Sequence, residues 1–272
     1  MQEKNFYSNK VVLITGSSMG IGKELAHQVL LRGGKVFLTA HNKSKLMETA
    51  AEFKQYQNAV RFMNCDVSDY SGNVLLIQEV IESFGKLDVL ITNAGMSCYG
   101  EVEATDVNVA KEVIDTNIYG SLFPVMAAMG ELKKSKGSIT FISSIAGLSG
   151  LPGYSAYSLS KMALTALAQS LLIELKSHHV NVQIAYVGFT ENEKSKITLA
   201  PNGMKEKVPE RPKLLTSSRS HTAKMILRQT EKGKFSKTYS IVGVITASLS
   251  KYFPSIVRYS LGKNYERRSF KT

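Results

Sequence analysis

Cysteine is scarce in this chain, long apolar runs are missing, and acid is scarce in the last third. The two cysteines, Cys65 and Cys98, are too few for a disulfide framework and read as buried thiols of a reducing compartment. No run of ~18 apolar residues is present, which excludes a membrane-spanning helix. The opening MQEKNFYSNK holds no apolar signal core, so a cytoplasmic protein is expected. Residues 1–188 carry 16 Lys and Arg against 16 Asp and Glu, whereas residues 189–272 carry 18 against 6, so the whole net charge of +12 lies at the C-terminal end. Such a region suits phosphate head groups or an acidic ligand, and a solvated basic surface is the plain alternative. Aromatics do not alternate with bases there, so nucleic acid is not an expected partner.

What the chain does have is a regular alternation over its 272 residues, compatible with one domain over 1–272. Apolar stretches at 10–15, 35–40, 59–64, 87–92, 138–143 and 180–186 read as strands. Amphipathic stretches at 21–31, 44–56, 70–84, 107–132 and 154–177 read as helices, with Pro124 kinking the fourth. Repeated β-α-β units with continuously apolar strands predict a doubly wound, Rossmann-type parallel sheet in a three-layer αβα arrangement. The rhythm fails over 189–215, which reads as a long loop or lid. A helix over 216–230 and a seventh strand over 238–243 are predicted beyond it. The tail from about 246 mixes apolar and basic residues.

Three groups of residues carry chemistry. First, Thr15-Gly16-Ser17-Ser18-Met19-Gly20-Ile21-Gly22 follows a strand and opens a helix. Gly16 permits a tight turn, Gly20 lets the backbone approach a diphosphate, and Gly22 allows close packing of helix on strand. The helix N-terminus offers N–H groups and a positive dipole end. Gly16, Ser18, Gly20, Ile21 and Gly22 are therefore candidate dinucleotide ligands. Second, the end of the second strand, Thr39-Ala40-His41-Asn42-Lys43, holds no acid to repel a 2′-phosphate, so His41 and Asn42, helped by Lys43 and Lys45, point to NADP(H) over NAD(H). Asp66 and Val67 are placed for the adenine edge; a helix cap at Asp66 is the equal alternative. Third, Tyr157 and Lys161 stand four apart on one helix face, with Ser144 just beyond the fifth strand. A nearby ammonium favours the phenolate, and a serine can bond the carbonyl oxygen on which charge develops. Tyr259 and Lys263 repeat the tyrosine–lysine spacing without an upstream serine and read as a decoy.

The ordered set resembles the short-chain dehydrogenase/reductases over roughly residues 8–192: the glycine turn, Asp66, Thr92-Asn93-Ala94-Gly95, Asn117, Ser144 and Tyr157 with Lys161. The resemblance implies Tyr157 as acid/base and Lys161 as the group that lowers its pKa and holds the nicotinamide ribose. It implies that Ser144 orients the carbonyl, that Asn117 holds a relay water, and that Asn93, Ala94 and Gly95 back the cofactor. It implies no metal, a small carbonyl or alcohol substrate, and a homodimer or homotetramer built on the helices around 107–132 and 154–177. An NAD-linked alcohol dehydrogenase and a non-catalytic dinucleotide sensor are the alternatives. The chain departs from the family pattern at Val187-Gly188, where Pro-Gly is usual, and at Asn192, where Thr is usual. Gly188 is retained as a cofactor contact. The segment GLSGLPGYSAYSLSK, the unusual stretch after the sixth strand and SIVRY near the end resemble the branch with 3-ketosphinganine reductases. That likeness implies a hydrophobic ketone and peripheral contact of the tail with a membrane.

Overall fold

A computed structural model describes residues 5–193, 195–208 and 215–269. The first half runs β1 (Val11–Thr15), α1 (Gly20–Leu30), β2 (Lys35–Ala40), α2 (Lys43–Glu52), β3 (Val60–Asn64), α3 (Tyr70–Phe84), β4 (Val89–Thr92), α4 (Val107–Ile114) and α5 (Gly120–Ser135). The second half runs β5 (Ser138–Ser144), α6 (Ser155–Glu174), β6 (Asn181–Val187), β7 (Ile197–Leu199), β8 (Lys205–Lys207), α7 (Arg219–Glu231), β9 (Ser236–Thr238), α8 (Ile241–Tyr252) and α9 (Pro254–Ser269). Seven strands form one parallel sheet in the order β3-β2-β1-β4-β5-β6-β9.

The unbroken apolar strands follow from helices on both faces, because successive side chains of a strand point to opposite sides. Val11 and Leu13 of β1 join a core with Leu76, Val80, Leu132, Leu164 and Leu171, while Val12 and Ile14 join a second with Leu25, Val29, Leu46, Ile226 and Leu227. After β1 the chain winds out through β2 and β3, then crosses to β4 on β1's other side. That reversal opens a crevice at the C-terminal ends of β1 and β4, where ligands bind in such sheets.

Several expectations are corrected in detail. The seventh strand lies at Ser236–Thr238, and residues 241–243, predicted as strand, begin α8. The Ser240 hydroxyl accepts the Gly243 N–H, and this N-cap outweighs the strand preference of Ile241, Val242 and Val244. The predicted helix over 216–230 starts at Arg219, capped by Ser218. The stretch read as a loop over 189–215 contains the antiparallel pair β7–β8; its Pro209 and Pro212 lie outside the described residues. The stretch expected as one helix kinked at Pro124 is interrupted instead by a π-type turn, Asp115–Tyr119, and Pro124 stands inside α5. Leu164 is core and Met129 packs against it, while Met126 and Met162 are exposed.

The tail folds back on the body. Val257 is buried and the Tyr265 hydroxyl donates to the Glu101 carboxylate, yet Val244, Ile245, Tyr252, Phe253, Ile256 and Tyr259 are exposed. Among the described residues no helix is long and apolar enough to cross a membrane.

Candidate active site

The glycine turn has the conformation that its residues allow. Gly16 and Gly20 have φ of +62° and +59°, in the left-handed region that favours glycine. A Cβ on Gly22 would lie 2.3 Å from the Gly16 carbonyl oxygen and 2.5 Å from Asn93 Nδ2. Gly22→Ala is therefore expected to cost about 1–3 kcal/mol in urea unfolding, because backbone must move to admit the methyl. A Cβ on Gly20, by contrast, would meet nothing within 4 Å, so the turn faces open space at this point. Asn93 Nδ2 donates to the carbonyls of Thr15 (3.0 Å) and Gly16 (2.9 Å), and the Thr15 hydroxyl accepts the N–H groups of Asn93 and Ala94, each at 3.0 Å. The ends of β1 and β4 are thereby locked together. Ser18 is half-buried, with its carbonyl accepting the Thr49 hydroxyl, and Ile21 packs on the second core. Ser17, which sequence reasoning passed over, exchanges hydrogen bonds with the backbone of Thr39 and ties the turn to β2.

The turn suits an anionic ligand. Helix α1 has no acidic residue in its first turn and no side-chain cap of its own, yet the Gly20 N–H donates to the Glu193 carboxylate at 2.5 Å. A negatively charged oxygen thus already fits at the N-terminus of α1.

At the end of β2, His41 is exposed, and Asn42 caps α2 by accepting the Lys45 N–H. Asp66 Oδ2 lies 3.6 Å from His41 Nδ1, so the corner read as free of acid has a carboxylate at its edge. Asp66 does not cap the next helix; Asp69 does, accepting from Ser71 and Gly72. Partial burial works to raise the Asp66 pKa, but the Ser68 hydroxyl and N–H, with His41 beside them, outweigh it and hold the carboxyl below its ordinary value. Val67 is buried, and its carbonyl accepts Asn73 Nδ2.

Of the candidate catalytic residues, Tyr157, Lys161 and Asn117 are brought together beside Gly95, and Ser144 closes β5. Lys161 is buried and donates to the Ile142 carbonyl at 3.1 Å, with Nζ 5.9 Å from the centre of the Tyr157 ring. Burial, with Lys196 adding repulsion, pushes its pKa down to about 8. Ser144 Oγ accepts the Ala146 N–H at 3.2 Å, which leaves the hydroxyl hydrogen for an outside acceptor. Asn117 lies buried in the π-type turn. Its Oδ1 accepts the Met96 N–H, and its Nδ2 donates to the Met96 carbonyl and Ser160 Oγ. Gly95 fits between Asn117 and Lys161, where a Cβ would lie 3.0 Å from Asn117 Oδ1 and 3.3 Å from Lys161 Nζ.

The family model for the short chain dehydrogenases matches residues 10–200. The chain belongs to that family. That family is one of oxidoreductases that bind NAD(P). The chain is 37% identical to 11-beta-hydroxysteroid dehydrogenase 1A of Arabidopsis thaliana over 70% of its own length, and spans about half of that relative, 54%. It is 32% identical to 3-ketodihydrosphingosine reductase of Bos taurus, over 88% of this chain and 74% of the relative. A short chain dehydrogenase/reductase of Burkholderia phymatum in complex with NAD superposes with a TM-score of 0.80 at 21% identity, covering 92% of this chain and 95% of that one.

Further residues of the chain shape or border this region. A Cβ on Gly147 would lie 2.8 Å from the Lys161 carbonyl oxygen, so this glycine permits the close approach of α6 to the end of β5. Gly188 has a similar role: its Cβ would lie 2.4 Å from Ser240 Oγ, at the start of α8. Asn192 is half-buried in the same segment. The rim is stitched from separate segments: Cys98 bridges to Leu199, Gly100 to Tyr154, and the Ser97 hydroxyl donates to Thr198 Oγ1 at 2.9 Å. Tyr259 and Lys263 lie on α9 and are exposed.

Proposed function

We propose that this oxidoreductase reduces a hydrophobic ketone, or oxidises the matching secondary alcohol, with NADP(H), and that Ser144, Tyr157, Lys161 and Asn117 form its centre. The observation that carries the reading is Lys161: a buried ammonium beside the Tyr157 ring, tied to the β5 backbone and packed against Gly95 and Asn117. NADP(H) at the glycine turn supplies or accepts the hydride. Gly16, Ser18, Gly20, Ile21 and Gly22 hold its diphosphate, and Asn93, Ala94, Gly95 and Gly188 line the nicotinamide side. Ser144 donates its free hydroxyl hydrogen to the carbonyl oxygen. The Tyr157 hydroxyl gives its proton to that oxygen as charge develops, and the Lys161 ammonium stabilises the phenolate that remains. Asn117 positions Met96 and, through Ser160, the helix that bears Tyr157.

The cofactor preference draws on His41, Lys43 and Lys45 around the ribose corner. Asp66, 3.6 Å from His41, favours the NAD-linked alternative. A hydrophobic substrate is supported by the exposed Phe189, Met204 and Leu215 of the segment after β6 and by the likeness to a sphingoid-base reductase. The test is oxidation of NADPH and NADH against ketones from small diketones to long-chain 3-keto lipids. Turnover with NADPH at least about tenfold above NADH is expected, since lost pairing of a charged phosphate costs upwards of 1.4 kcal/mol. Turnover with NADH alone would reverse the cofactor assignment.

We also propose self-association through the exposed Met126, Leu159, Met162 and Ile173, and a cytoplasmic protein whose tail touches membrane surfaces. The exposed Tyr252, Phe253, Ile256 and Tyr259 stand among Lys251, Arg258 and Lys263. Pelleting with anionic vesicles is expected for the full chain and not for one ending at residue 245; equal pelleting of both would remove the tail from this role.

A further inference from the structure

Helices α1 and α7 lie side by side, with Leu25 and Val29 sharing a core with Ala223, Ile226 and Leu227. Ser220, at the start of α7, lies against Gln28 of α1 at 3.5 Å, and the Arg219 side chain reaches toward the glycine turn. One carboxylate oxygen, Glu193 Oε2, bridges them: it accepts the Gly20 N–H at 2.5 Å and Arg219 Nη1 at 2.9 Å. Arg219 is the first residue of α7, and its own N–H donates to Glu191 Oε2 at 3.3 Å. The segment that carries Glu193 is fastened to the start of α7. Thr190 bridges to Ser217, the Glu191 N–H donates to the Ser217 carbonyl at 3.0 Å, and the Ser217 N–H donates to the Phe189 carbonyl at 2.9 Å. Lys23, the cation in the first turn of α1, is engaged by Glu52 at 2.6 Å.

This arrangement is a built anion site with an internal occupant. A backbone N–H at a helix N-terminus and a planar guanidinium converge on one negatively charged oxygen, the donor set that a phosphate oxygen takes. We propose that Arg219 is a ligand of the cofactor's diphosphate and that Glu193 holds this place until the dinucleotide displaces it. The inference rests on dinucleotide binding at the glycine turn. Glu193 Oε2 and a diphosphate oxygen cannot share the Gly20 N–H, so binding must expel the carboxylate. The Arg219 guanidinium, freed from Glu193, then faces the incoming charge. Since the backbone around Glu193 is anchored to α7, a side-chain rotation clears the site while the loop stays in place.

The inference has a distinctive signature, because the two partners of one ion pair act in opposite directions on the ligand. A pair that only held the fold would weaken binding whichever partner was removed. Here Glu193→Ala removes the competitor, and if the carboxylate occupies the site nine-tenths of the time, affinity rises about tenfold. Arg219→Ala removes a charge-assisted ligand, and affinity falls about tenfold. The measurement is the dissociation constant of NADPH, by nicotinamide fluorescence, and of ADP-ribose and adenosine 2′-monophosphate, by calorimetry, at one ionic strength. NADPH and ADP-ribose, which carry the diphosphate, are expected to shift in opposite directions in the two variants, and adenosine 2′-monophosphate, which lacks it, in neither. Arg219→Lys is the second variant and is expected to fall between the wild type and Arg219→Ala. Melting curves establish that each variant is folded. Unchanged affinities, or weaker binding in both alanine variants, overturn the inference while dinucleotide binding stands. A wild-type chain that binds neither NADPH nor ADP-ribose overturns the dinucleotide reading and this inference with it.

Discussion

Tyr157→Phe is expected to lower kcat/KM for ketone reduction by about 10²–10⁴-fold, the range that a positioned general acid contributes. The dissociation constant for NADPH is expected to stay within about twofold, since only a hydroxyl is removed and the ring keeps its place beside Lys161. The reasoning is local. A ketone that gains hydride must also gain a proton, and a neutral phenol beside an ammonium is the group at the centre that can release one and leave a stabilised anion. Ser144 can donate a hydrogen bond but ionises far less readily, so it assists without substituting. Separate determination of kcat and KM across pH 6–9 decides the matter. A variant that keeps more than about a tenth of wild-type kcat/KM would mean that the proton comes from elsewhere, and Tyr157 would be a wall of the site rather than its acid.

The parts legible in the sequence are those in which one residue's own physics decides the outcome. Gly16 and Gly20 are the residues that a left-handed turn calls for, and β1 and β4 are apolar up to their closing threonines, Thr15 and Thr92, because a sheet covered on both faces requires it. Tyr157 and Lys161 share a face by helix geometry alone. The parts not legible depend on what a residue meets from a distant segment. Gly147 looks like any loop glycine until the Lys161 carbonyl is found against it. Glu193 reads as one charge in a mixed loop, yet it reaches the first N–H of α1, 173 residues away in the chain. Local signals also competed. Ile241, Val242 and Val244 have strand character, but the Ser240 cap turned them into a helix, and the three-residue strand Ser236–Thr238 has no apolar pattern to betray it. The charged β8, Lys205–Lys207, is exposed at every position and pairs with β7, so periodicity had nothing to report.

Lys161→Met should abolish turnover and yet make the chain harder to unfold at neutral pH. The folded-state pKa is depressed to about 8, whereas an unfolded lysine titrates near about 10.4. Between those values the unfolded chain holds a proton that the folded chain has released, so stability rises with pH from about 8 to about 10. Below about 8 both states are charged, and the folded state bears the full penalty of a buried ammonium, about 3 kcal/mol for a displacement of this size. Methionine fills similar space without the charge. It strands the Ile142 carbonyl that Lys161 satisfies, a loss of about 1–2 kcal/mol, so the net gain at pH 7 is about 1–2 kcal/mol. At pH 10 the ammonium has been discharged in the folded wild type, the advantage is gone, and the stranded carbonyl leaves the variant the weaker of the two. Urea unfolding of wild type and variant at pH 7 and pH 10 measures this crossing. A variant less stable at both pH values would show that Lys161 is held by a compensating charge, and the depressed pKa would then not describe the folded chain. A crossing, together with kcat/KM down by more than about 10²-fold, would mean that this fold keeps a destabilising cation at its centre because the reaction requires it.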